Sequence, residues 1–122
     1  MDLIAGGSSW FEDQRKAFLS VDAEYRPVNS MFGRPVKATP GMTRWEGMDA
    51  AGQVVRLETK AWFISADEVR EEPRVGDRIS VVEKGRRNVY EAIRPALTDN
   101  CWNWSDRNQT LRRIHCHLVS AD

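Results

Sequence analysis

Two periods of hydrophobic and polar residues run along this chain, and each predicts a different element. From Ser9 onward, Trp10, Phe11, Phe18 and Val21, with Gln14 and Ala17 between them, fall on one stripe at helical spacing. Asp13, Arg15, Lys16 and Asp22 occupy the other side. Ser9 followed three residues later by Glu12 is a capping box, in which each residue satisfies a backbone amide of the first turn. Pro27 closes the pattern, because a residue before proline avoids helical geometry. The spacing predicts one N-terminal helix over about residues 9–24, either packed on an open face of a sheet or docked on a neighbouring subunit.

Past Pro27 the period shortens. The stretch Phe32 to Gly41 reads as a first strand, edge-like because Pro35 cannot donate to a ladder, and closed by a Pro40-Gly41 turn. Val54-Val55-Arg56-Leu57 resumes after the small residues Asp49-Ala50-Ala51-Gly52. The run Lys60 to Ser65 is short and apolar enough for a strand buried on both faces. Gly76-Asp77 suits a reversal before Arg78-Ile79-Ser80-Val81, and Lys84-Gly85 supplies the left-handed residue of a short hairpin leading to a strand from Asn88 to Arg94. The expected fold is mainly β, a small antiparallel barrel or sandwich over about residues 32–119 with the one N-terminal helix, in a single domain of residues 1–122. A chain of 122 residues suits one modest core.

Charge narrows the function. Charged residues make up 30% of the chain and balance at 18 against 18, so no global field draws it to nucleic acid or to an anionic membrane. No run approaches the roughly 18 apolar residues of a membrane span, and the first residues lack the basic start of a signal peptide. A cytoplasmic site of synthesis and no membrane partner are expected. Two cysteines, Cys101 and Cys116, fit a reducing compartment better than a disulfide scaffold.

The C-terminal third gathers both cysteines, both histidines and the pair Trp102 and Trp104. Alternate strand residues face opposite ways, which sets His115 and His117 with Arg113 on a wetter face and Cys116 between Ile114 and Leu118 on a core face. The donors of a zinc site must converge within about 2.0–2.3 Å of the metal, and these diverge. No metal and no other cofactor is expected. The polar stretch Ser105 to Thr110 reads as a hairpin loop, either plain turn chemistry by Asp106 and Asn108 or an exposed tip for a partner.

No phosphate loop, His-Glu-x-x-His or Gly-x-Ser-x-Gly elbow is present. The acidic pairs Asp67-Glu68 and Glu71-Glu72 are adjacent residues on an extended segment, which diverge and cannot act together as acid and base. Catalysis is therefore not expected. The basic pairs Arg86-Arg87 and Arg112-Arg113, with exposed tryptophans, leave a second reading as an OB-like domain that binds single-stranded nucleic acid by stacking. The phosphate term that dominates such binding is weak at balanced charge. A metal-dependent enzyme built on the Cys and His cluster is the third.

Asp67-Glu68-Val69-Arg70, followed by Arg74-x-Gly76-Asp77-x-Ile79, with Tyr90 and Cys101 beyond, resembles the head–tail joining family of lambda-type tailed phages, the head completion or connector stopper proteins. The likeness covers about residues 54–104, and the later Trp102-x-Trp104-Ser105-Asp106 and Arg113-x-His115 agree with it. The resemblance implies a structural protein of the virion, assembled in the host cytoplasm, that forms a ring of copies, monomeric or not when isolated. It would contact the portal or adaptor and the tail terminator or another tail protein, meet DNA only in the channel and help retain it. It also implies a long mobile loop over about residues 41–53 that orders on assembly, bearing Trp45 and Met48. Trp45 is either an ordinary core strand residue or an interface anchor. The remaining candidate contacts are a charged rim of Asp67, Glu68, Arg70 and Arg74, and the hairpin tip with Asp106 and Arg107.

Overall fold

A computed structural model of the chain describes residues 20–95 and 99–121. Its seven strands are β1 (Val21–Arg26), β2 (Arg34–Met48), β3 (Val54–Ser65), β4 (Arg78–Glu83), β5 (Arg86–Ala92), β6 (Trp102–Trp104) and β7 (Leu111–Ala121). All pairings are antiparallel, in the order β3-β2-β1-β4-β5-β7-β6. An additional pairing of β3 with β7 closes the sheet into a six-stranded barrel. Strand β6 lies outside that ring: it lines up with the first half of β7, on the edge that β5 uses further along.

Period-two alternation builds the core. Each barrel strand sends two buried residues inward: Ala23 and Tyr25, Val36 and Ala38, Trp62 and Ile64, Ile79 and Val81, Tyr90 and Ala92, Ile114 and Cys116. The register stacks these across neighbours, as in Ala38 opposite Ile64, Tyr25 opposite Ile79 and Trp62 opposite Ile114. Trp62 meets Tyr90 edge to face at 5.4 Å between ring centres. A small barrel filled in this way is a packed core and not a pore.

The predicted helix is corrected where it can be compared. Residues 21–24 are strand, and no helix occurs among the described residues; the capping box and residues 9–19 lie outside them. Val21-Asp22-Ala23-Glu24-Tyr25 alternates with period two, and β1 is paired on both edges, to β2 and β4. Two ladders of backbone hydrogen bonds override a local helical spacing.

The expected loop over residues 41–53 is corrected too. Residues 41–48 belong to β2 and residues 54–65 to β3, paired from Ala38↔Ile64 to Met48↔Val54, which leaves only residues 49–53 as a turn. Pro40-Gly41 is therefore mid-strand and not a turn. Pro40 falls two residues past the last pairing with β1, where one edge of β2 has no partner strand among the described residues and a missing N–H breaks no described ladder. Gly41 is required by a close approach: a Cβ there would lie 2.2 Å from Cε2 of Phe63, whose ring crosses it.

Candidate functional site

The register sorts every candidate contact onto one of two ends of the barrel. Strand β1 pairs with β2 only as far as Ala38, and β7 pairs with β3 only from Lys60. From Thr43↔Thr59 to Met48↔Val54 the two strands have only each other among the described residues, where they form a two-stranded arm. At about 3.4 Å per residue it reaches roughly 20–25 Å. The β4–β5 turn lies at this same end, with Lys84 and Gly85 at φ 51° and 78°. At the opposite end sit the β1–β2 loop, residues 66–77, and the β6–β7 loop.

One face of the arm is exposed to solvent, while Thr43 and Thr59 at its base are buried. That face carries Arg44 paired with Glu58 at 3.0 Å and Arg56 paired with Glu46 at 3.2 Å, flanked by exposed Met42 and by Met48 opposite Val54. Trp45 is paired with Leu57 in the register. The tip is pinned by Asp49, whose Oδ1 accepts from the amides of Ala51 and Gln53, both at 2.9 Å. Gly52 takes the left-handed conformation the turn needs, at φ 79°.

The loop end is tied to the barrel by buried polar groups. Asp77, 3% exposed, accepts from the Tyr25 hydroxyl, the Val28 amide at 2.8 Å and the Arg74 amide at 3.0 Å. Burial and this carboxylate push the Tyr25 phenol far above its ordinary range. Arg112 donates Nε to the Val69 carbonyl at 3.0 Å and Nη2 to the Arg70 carbonyl at 3.2 Å. Its guanidinium lies against Trp102 and Trp104 at 4.4 and 4.5 Å from the ring centres. Both indoles are thus committed to an arginine of the same chain.

The rim residues have mixed roles on this scaffold. Glu68 accepts from the Lys37 amide at 3.2 Å, and Asp67 accepts from the Ser65 hydroxyl. The side chains of Arg70 and Arg74 are exposed, while their backbones join the Arg112 and Asp77 networks. Asp106 turns inward on its own loop, accepting from the amides of Thr110 and Leu111 at 3.0 and 3.2 Å and from the Thr110 hydroxyl. Those bonds hold its carboxyl below the usual range against the opposing effect of burial. Arg107 is exposed beside it. Asp106 therefore shapes the tip, and Arg107 presents it.

The histidine and cysteine cluster separates. Cys101 and Cys116 are both buried free thiols; burial raises the Cys101 thiol to about 11, and Cys116 higher still. His117 is exposed, but His115 is 1% exposed and not on a wetter face as expected. Its Nε2 lies 2.9 Å from Oδ1 of Asn103. The Asn103 amide nitrogen donates to the Trp104 carbonyl at 3.1 Å, which orients Oδ1 toward the ring and makes Nε2 the protonated nitrogen. Burial first, and Arg113 next, lower the His115 pKa to about 4. Leu118 departs in the other direction and is 51% exposed, because β7 has lost β3 as a neighbour beyond Cys116.

Periodicity missed the β1–β2 loop. Met31 and Phe32 are 88% and 81% exposed at its tip, where Phe32 was expected to start a strand. The tip is hydrogen-bonded: the Ser30 amide donates to the Pro27 carbonyl at 3.0 Å, and the Phe32 amide donates to the Ser30 hydroxyl oxygen at 3.1 Å. Pro27, Asn29, Ser30 and Gly33 around an apolar pair are the only local sign of a presented knob.

A protein-family model described as phage head-tail joining protein matches residues 1–122. Comparison with curated proteins finds no match.

Proposed function

Because the chain belongs to the phage head-tail joining family, a structural component of the virion that engages head and tail components, we propose that it acts as a ring of copies at the connector. One end of the barrel meets the portal or adaptor and the other meets the tail terminator or another tail protein. The ring stands below the filled head and helps keep packaged DNA in place. The observation that carries this reading is the division of the surface: a paired arm leaves one end of the barrel, and three loops crowd the other. A joining protein needs two independent contact surfaces, and this topology separates them by the length of the core.

The arm supplies the contact between copies. Isolated two-stranded ribbons are marginally stable in water, and its two outer edges carry backbone groups with no strand beside them among the described residues. A neighbour that adds a strand along either edge satisfies those groups, with Trp45 and Met48 as side-chain anchors. Such a head-to-tail contact, repeated about an axis, closes a ring. At the loop end, Asp67, Glu68, Arg70 and Arg74 form a charged rim that sets register with the flanking virion protein. Asp106 holds the tip from which Arg107 reaches out.

Removing Trp45–Met48 together with Val54–Leu57 joins Arg44 to the turn and the turn to Glu58, taking away four facing pairs without changing which face any remaining residue occupies. The shortened chain should fold with a single cooperative unfolding transition and leave heads without tails. Tailed, infectious particles at normal yield would refute the role of the arm.

A further inference from the structure

We infer that the loop end carries a second contact between copies, in which Met31 and Phe32 of one copy enter a hollow beside the same loop on the next copy. Two large apolar side chains standing side by side at 88% and 81% exposure are what a docking knob looks like and what a solvated loop avoids. The knob is held: the Ser30 hydroxyl donates to the Phe32 carbonyl and accepts from the Phe32 amide, and the Val28 amide is anchored on buried Asp77. It therefore loses little freedom on docking.

The hollow has a volume of about 690 Å³ and is lined by Tyr25, Val28, Val69, Pro73 and Val75, with Glu72 on its rim. That is within the size of a typical small-ligand site and takes a phenylalanine and a methionine side chain together. Met31 and Phe32 do not line it, although Pro27, Val28 and Asn29 of their own loop do. Knob and hollow are thus different patches of one end of one molecule, and within the ring of copies the contact runs head to tail.

Charge agrees with a second copy as the occupant. Arg26, next to the knob loop, has no ion pair among the described residues, and Glu72, on the rim, acts on Arg112 of its own chain without a contact ion pair, whereas Arg34 and Glu71 are paired within the chain at 2.5 Å. Seating the knob brings a neighbour's Arg26 toward Glu72. Two side chains bury far less than the roughly 800 Å² per partner of a stable interface, so this contact belongs to copies already held side by side. The inference rests on the ring reading above.

The full chain carries only buried cysteines, so Met31→Cys and Val75→Cys can be oxidised selectively in assembled particles. The double variant should give a ladder of cross-linked oligomers. A mixture of the two single variants should give dimers and nothing larger. Phe32→Ser with Met31→Ser, both at exposed positions, should leave the melting temperature unchanged and weaken ring formation by about tenfold or more. Complete rings in the Ser variants, or rings without a cross-linked ladder, would overturn the knob contact and leave the ring standing. No ring from the wild-type chain in particles would overturn both.

Discussion

The guanidinium of Arg112 lies 4.4 Å from the centre of the Trp102 ring while its Nε donates to the Val69 carbonyl. One side chain thereby fastens the outlying strand β6 and the loop after β3 to the barrel wall. Arg112 is 5% exposed, so its bonds are made in a dry setting where an unmet carbonyl is costly.

Arg112→Ala should lower unfolding stability by about 2–4 kcal/mol, from the two carbonyls left unmet and the lost cation–π contact. Arg112→Lys should recover little, since a point charge cannot serve both carbonyls and lie flat on the rings. Urea midpoints of the three proteins test this; a loss under about 0.5 kcal/mol for the alanine variant would mean that Arg112 is not what anchors the loop.

His115 sets an acid limit. Its folded pKa of about 4 lies below the ordinary 6.5. Above pH 6.5 both folded and unfolded histidine are neutral, and stability is at its full value. As pH falls from 6.5 to 4 the unfolded chain takes up a proton that the folded chain refuses, and stability declines by up to about 3 kcal/mol. Denaturant titrations at pH 7.5, 6, 5 and 4 should show that decline in the wild-type chain and a smaller one in His115→Gln.

Asp106 and Arg107 should separate cleanly. Asp106→Ala removes the acceptor of three bonds inside the β6–β7 loop and should cost about 1–2 kcal/mol, as the loss of a capping side chain does. Arg107→Ala should leave stability within about 0.5 kcal/mol and reduce particle completion. The reverse pattern would make Asp106 the contact residue and Arg107 the structural one.

Both cysteines should resist thiol reagents in the native protein. Burial closes access and holds Cys101 at about 11, with Cys116 higher, so little thiolate exists at pH 8. Ellman's reagent should find no reactive thiol before denaturant is added and two afterwards. Fast native labelling of either would show that the barrel opens.

Much of the architecture could be read before any coordinates. The Gly76-Asp77 reversal, the Lys84-Gly85 turn and the Trp102–Trp104 hairpin are local, and each depends on residue types that tolerate unusual backbone angles or on a period of two. The family likeness at Asp67 to Ile79 also lies in the linear order of residues, and the family follows from it. Other features depend on neighbours that the order of residues does not reveal. Val21 to Glu24 carries a helical stripe and a strand alternation at once, and the ladders on both sides of β1 decide between them. Residues 41–48 are strand because β3 returns along them, not because Pro40-Gly41 favours extension. His115 alternates onto the outer face and is buried there all the same, while Leu118 alternates inward and is exposed. Local rules act over a few residues, whereas pairing and burial depend on what the closed barrel brings from as far as 52 residues away, as at Tyr25 and Asp77, and this is why the two ends became visible only in three dimensions.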